Sequence, residues 1–178
     1  MSLNNDAANY RLLFDTMVVD PSKEKICQNA SNLIRKGKAR YEAVLPMCWQ
    51  LLGIIHYLEG SCNFATHPHN GDKLTARTVH VPSGRPAKGT PPFTWEQSAK
   101  DLCSLKGYDI ISIWTPELML FKLEANNGFG YRRKGINTPY LWSFTNHYKK
   151  GKYVADGKYS TEAVSKQVGA AILLKLLL

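Results

Sequence analysis

Apolar residues recur at helical spacing from the start of the chain, with Tyr10, Leu13, Phe14 and Met17 on one side of a predicted helix from Asn4 to Val19. A second amphipathic segment begins at Ser22 and carries Ile26, Ala30, Leu33, Ile34 and Tyr41. Pro46 then opens Met47 to Leu58, where nearly every position is apolar. A helix that is apolar all round is expected to be central and buried. Later starts are marked by polar caps. Thr94-Trp95-Glu96-Gln97 has the capping-box form for a helix to about Leu105. Thr115-Pro116 and Thr138-Pro139 repeat a cap followed by proline, and Ser160 is expected to cap a last helix through Ala163, Val164, Val168, Ala171 and Ile172.

Between Cys62 and Pro92 the helical period vanishes and Gly, Pro, Asn and His take over. A long irregular stretch in a compact domain is usually functional. Within it Thr78-Val79-His80-Val81 alternates as a short strand would, which predicts a small hairpin. Asn126 to Tyr131 is a second, glycine-rich link. The expected architecture is therefore mainly α, a single domain over residues 1–178, with a long loop and a small β-hairpin after the central helix.

With 178 residues and 44% hydrophobic composition the chain can bury a core without a disulfide or metal staple. No apolar run is long enough to span a bilayer. The start, Met1 to Asp6, lacks a positive region followed by an apolar one, so no secretory leader is expected. The 23 basic residues against 14 acidic ones give a formal charge of +9, which suits an anionic partner or plain solubility. The four cysteines, Cys27, Cys48, Cys62 and Cys103, show no C-x-x-C spacing and read as buried free thiols, a Cys62 to Cys103 bridge being the alternative.

Among the carboxylates, Glu24, Glu42, Glu96, Asp101, Glu117, Glu124 and Glu162 sit where a helix surface or cap accounts for them. Glu59 does not. It ends the apolar helix, on the face of His56, Ile55 and Leu52. Burial and the negative end of the helix dipole would both raise its pKa, as suits an acid that delivers a proton to a leaving group; the competing reading is a surface Glu at a frayed end. The loop that follows carries Asn63, Phe64, His67, His69, Asn70, Asp72, Thr75 and Thr78, a hydrogen-bonding surface with one carboxylate in the turn Asn70-Gly71-Asp72. A buried acid followed by a wetter carboxylate is how glycosidases set opposite pKa shifts on two groups, so Asp72 is the second candidate, against the reading of a plain turn residue. His67-x-His69 with Asp72 or His80 offers metal-ligand spacing, but H-x-H is common and no metal is expected.

In the second half Tyr131, Arg132, Tyr140, Trp142 and Asn146 combine aromatic faces with hydrogen-bonding groups, as a saccharide groove requires. The competing reading is that Tyr140 and Phe144 face the core. No nucleic-acid motif, P-loop, dinucleotide glycine fingerprint or G-x-S-x-G elbow occurs.

The helix Gly53-Ile54-Ile55-His56-Tyr57-Leu58-Glu59-Gly60-Ser61 running into such a loop resembles the lysozyme-like superfamily. The string His67 to Thr75, then Arg77-Thr78-Val79-His80-Val81-Pro82 and Gly84-Arg85-Pro86, is similar to a bacterial and phage branch of it, and the likeness runs from about residue 39 to 173. The resemblance implies cleavage of the β-1,4 link between N-acetylmuramic acid and N-acetylglucosamine in peptidoglycan, with Glu59 as proton donor. If Asp72 is idle, a lone acid fits a lytic transglycosylase. His56, Asn63, Phe64, His69, Asn70, Thr75, Thr78, Tyr131, Arg132, Tyr140, Trp142 and Asn146 are the expected substrate contacts. The expectation includes no cofactor, no nucleic-acid partner, a monomer, and action on the cell wall or periplasm after retention in the cytoplasm, as for an endolysin. A chitin or chitosan glycosidase, a metal-dependent amidase and a non-catalytic glycan-binding module stand as alternatives.

Overall fold

The computed structural model describes residues 3–155 and 157–178; Met1 and Ser2, part of the start read for a leader, lie outside the described residues. The chain is mainly helical: α1 (Leu3–Asp15), α2 (Glu24–Lys36), α3 (Lys38–Glu42), α4 (Trp49–Gly60), α5 (Trp95–Lys106), α6 (Pro116–Asn127), α7 (Pro139–Trp142) and α8 (Ala170–Leu177). Strands β1 (Lys152–Ala155) and β2 (Lys158–Ser160) pair antiparallel, with Tyr153 opposite Tyr159. The described residues divide into two compact units. A central unit is Asn32–Trp114, and the segment up to Ser31 joins Thr115–Leu178 in the other.

In the central unit α4 is the buried helix that its composition predicts, with every residue from Leu51 to His56 in the interior. Gly53 is needed there, because a Cβ would fall 2.6 Å from Ile34 and 3.1 Å from the Tyr41 ring. α5 opens with the expected capping box: Thr94 accepts from the Gln97 N–H, and the Gln97 side chain accepts from the Thr94 N–H. In the other unit α1 packs on α6, and α7 and α8 complete the helical core. Thr115 and Thr138 cap α6 and α7, with proline at the first turn of each.

Two local expectations fail. Thr78 to Val81 form no strand. The N–H groups of Val79 and His80 donate to the Asp72 carboxylate instead of to a neighbouring strand, and Val79 and Val81 stand 74% and 88% exposed. The hairpin lies at Lys152 to Ser160, where its tyrosines gather with Tyr131 at ring separations of 5.1 to 6.2 Å. Ser160 consequently ends a strand, and the last helix begins only at Ala170. All four cysteines are free thiols, with Cys27, Cys48 and Cys103 buried, so the Cys62 to Cys103 bridge is absent. Burial pushes the Cys48 and Cys103 thiols up to about 12. Among the described residues no helix is long and apolar enough to cross a membrane.

Candidate functional site

Glu59 occupies the last turn of α4 and is half-buried. Two consecutive non-glycine residues in the left-handed region, Ser61 (φ 51°) and Cys62 (φ 57°), reverse the chain immediately beyond it. The N–H groups of Ser61 and Cys62 return to the carbonyls of Tyr57 and His56, which satisfies the helix end. The loop then folds back on that end. Gly71 (φ +80°) lies so close that a Cβ would sit 2.8 Å from the Glu59 carbonyl oxygen. Gly71→Ala is therefore expected to cost about 1–2 kcal/mol in backbone strain and to push the loop off the helix end; urea unfolding measures the first and the amide shift of Gly60 the second. Lys106, on the last turn of α5, shares the field of Glu59. Burial lowers its pKa and the Glu59 charge draws it back up.

Asp72 does not act as a free carboxylate. Oδ2 accepts from the N–H groups of Val79 (2.8 Å) and His80 (3.0 Å), Oδ1 pairs with the His80 ring at 2.7 Å, and the Asp72 backbone N–H donates to Asn70 Oδ1. Burial would raise its pKa, but these hydrogen bonds outweigh burial and hold it at about 2. The group that the sequence offers as a second catalytic carboxylate is the post around which the loop is wound.

His56, expected to touch substrate, is 0% exposed. It lies in a cluster with Phe64 and Trp95 at centroid distances of 4.7 to 4.9 Å, joined by Tyr41. His56 Nε2 lies 3.1 Å from both the Trp95 indole N–H, which can only donate, and the Asn63 carbonyl, which can only accept, and Nδ1 lies 3.0 Å from the Tyr41 hydroxyl. Burial lowers the His56 pKa to about 4. Phe64 carries the Arg40 guanidinium 3.9 Å from its centroid, and Arg40 also binds Glu96.

His69 and Thr78 are likewise committed to the interior. His67 donates from Nε2 to the Ala76 carbonyl (2.8 Å), so its Nδ1 accepts the single Ser98 hydroxyl proton (2.6 Å); His69 pairs through Nε2 with Asp101 (3.0 Å), and its Nδ1 lies 3.2 Å from the same hydroxyl oxygen. Burial lowers the His69 pKa to about 4, against the pull of Asp101. With their ring nitrogens so engaged, and Asp72 turned to His80, the two histidines do not form the ligand set of the amidase reading. Among the described residues no group of three or more His, Cys, Asp or Glu is placed to hold a metal ion. The Thr78 hydroxyl is taken by Pro82 and Arg85. Asn63, Asn70 and Thr75 stay at least partly exposed on the same loop.

The remaining expected contacts belong to the other unit. Asn146 spends its amide on the backbone of Val18 and Thr16. Tyr140 and Tyr131 are largely buried, as the core reading of Tyr140 has it, and the Tyr131 hydroxyl accepts from the Tyr153 N–H. Arg132 and Trp142 border a cavity of about 320 Å³ with Asp6, Glu124 and Asn137, but Trp142 is 1% exposed and the Arg132 guanidinium is spent on Glu124 and Asp6. Here the sequence reading misses a residue. Glu124, read as a surface position, is 2% exposed, accepts from Tyr10 at 2.6 Å and is clamped by Arg132 at 2.8 and 3.2 Å. Its place one turn after the buried Leu120 was the available signal.

Comparison with known proteins yields no matching family model, no matching curated protein and no matching solved structure.

Proposed function

We propose that the chain cleaves the β-1,4 link between N-acetylmuramic acid and N-acetylglucosamine in peptidoglycan, with Glu59 as the single acid of a lytic transglycosylase reaction. The observation that carries this reading is the pairing of a half-buried carboxyl at the end of an apolar helix with a loop folded onto that end, while the neighbouring Asp72 is consumed by hydrogen bonds. A carboxylate already holding three donors is a poor nucleophile and a poor base for water, which removes the second partner of a two-carboxylate glycosidase. Glu59 then gives its proton to the glycosidic oxygen as the C1–O bond breaks, and recovers one from the sugar's own C6 hydroxyl as that oxygen closes on C1.

Mass spectrometry of products released from purified peptidoglycan tests this. Fragments ending in 1,6-anhydro-muramic acid are expected. Reducing ends would transfer the chemistry to a hydrolase with another carboxylate, and free peptides without glycan scission would reject it.

A further inference from the structure

We propose that the central unit holds a binding site for an acidic saccharide unit, a sugar ring bearing a carboxylate or a phosphate, in the cavity between α5 and the loop from Arg85 to Phe93. The cavity measures about 500 Å³, within the range of small-molecule sites, and one face of α5 forms its floor through Gln97, Lys100, Asp101 and Ser104. These positions follow helical spacing, so they present one continuous stripe. The opposite wall is fixed rather than loose. Asp101 accepts from Arg85 Nε (2.8 Å) and from the Ala87 N–H (2.9 Å), and Arg77 donates to the Gly89 carbonyl at 2.7 Å.

The charge of this site is unbalanced. Asp101, the carboxylate of the lining, is answered by Arg85, which leaves Lys88 and Lys100 in surplus. Glu96, one turn before Lys100, is held by Arg40. Behind the wall the Arg77 guanidinium lies 5.5 Å from the Phe93 ring and keeps Nη1 buried without a hydrogen-bond partner, so a further uncompensated cation backs the same cavity. Lys88 and Lys100 are themselves exposed, so their field on an anion is screened by salt. Exposed Ala87, with the small accessible parts of the buried Phe93 and Pro86, supplies apolar surface for a ring edge, and Gln97 and Ser104 can pair with hydroxyls. A bare anion would leave the apolar part unused, and a neutral sugar would leave the cations unused.

Binding here does not depend on Glu59 or on cleavage. Titration of the full chain, followed by amide shifts of residues 97–104, is to be run with N-acetylmuramic acid for the carboxylate, N-acetylglucosamine 1-phosphate for the phosphate, and neutral N-acetylglucosamine and inorganic phosphate as comparisons. One or both acidic sugars are expected to bind at least about tenfold tighter than either comparison, with the difference shrinking at high salt. The pair Lys88→Gln and Lys100→Gln should erase that preference, and the Glu59→Gln chain should retain it. Equal binding of neutral and acidic sugars, inorganic phosphate matching the sugar phosphate, or a Lys88→Gln/Lys100→Gln chain that binds as before would overturn the site. None of these results bears on peptidoglycan cleavage, which is read by product analysis.

Discussion

Glu59→Gln is expected to slow peptidoglycan cleavage by about 10²–10⁴, the usual worth of a positioned general acid, while leaving the unfolding midpoint within about 0.5 kcal/mol of the parent. Glutamine keeps the shape of the side chain and can still hydrogen-bond at the end of α4, but it has no proton to transfer. Any attraction lost between the Glu59 charge and Lys106 belongs to a partly exposed pair, so stability should change little. Asp72→Asn provides the contrast. Asparagine loses the charged acceptor that serves Val79, His80 and the His80 ring, so stability should drop by roughly 1–3 kcal/mol while turnover per folded molecule stays near the parent value. Steady-state cleavage of labelled peptidoglycan, normalised to the folded fraction, reads both. Undiminished turnover in Glu59→Gln would sink the proposed acid; loss of turnover in a folded Asp72→Asn would restore the second carboxylate.

The contrast between these two carboxylates also shows what can be read from residue order. The exit of α4 is a local matter: an apolar run, a terminal Glu, then Gly60 and Ser61 as breakers, all within one helical turn. The helix starts at Thr94, Thr115 and Thr138 are equally local, and they form as expected because a cap needs only the next three residues. Failures occur where distant partners decide. Thr78 to Val81 alternate correctly for a strand, yet the Asp72 carboxylate several residues earlier takes their amides. Ser160 has the chemistry of a cap, but Tyr159 beside it is drawn to Tyr153 and Tyr131, which makes that stretch a hairpin. Glu124 looks like a surface acid until Tyr10, 114 residues away in sequence, and Arg132 close around it. His56 lies on a helix whose composition predicts burial, yet it is read as a substrate contact, because its Trp95 partner lies 39 residues on and no local signal joins the two.

Acid should destabilise the central unit well before ordinary carboxylate titration begins. His56 and His69 are held neutral by burial, each with a pKa near 4 against about 6.5 when unfolded. Between those values the unfolded chain binds more protons than the folded one, so stability is fully present above pH 6.5 and falls as pH drops toward 4. The shift corresponds to a loss on the order of 3 kcal/mol per histidine once both states are protonated, and together that is comparable with the whole stability of many domains. Asp72 adds a lower window of the same direction: its depressed pKa contributes stability above about 3.8 that disappears as pH falls through about 2. All three groups lie within Asn32–Trp114, so hydrogen exchange should report opening there before it does in α1, α6 and α8. Urea midpoints taken from pH 7 to 4 should decline steadily, and His69→Gln, though less stable at pH 7, should show a shallower decline because one of the two titrating groups is gone. A midpoint that stays level across that range, or a decline that His69→Gln leaves unaltered, would mean that these imidazoles meet water in the folded chain and that the Ser98 and Trp95 hydrogen bonds do not keep them dry.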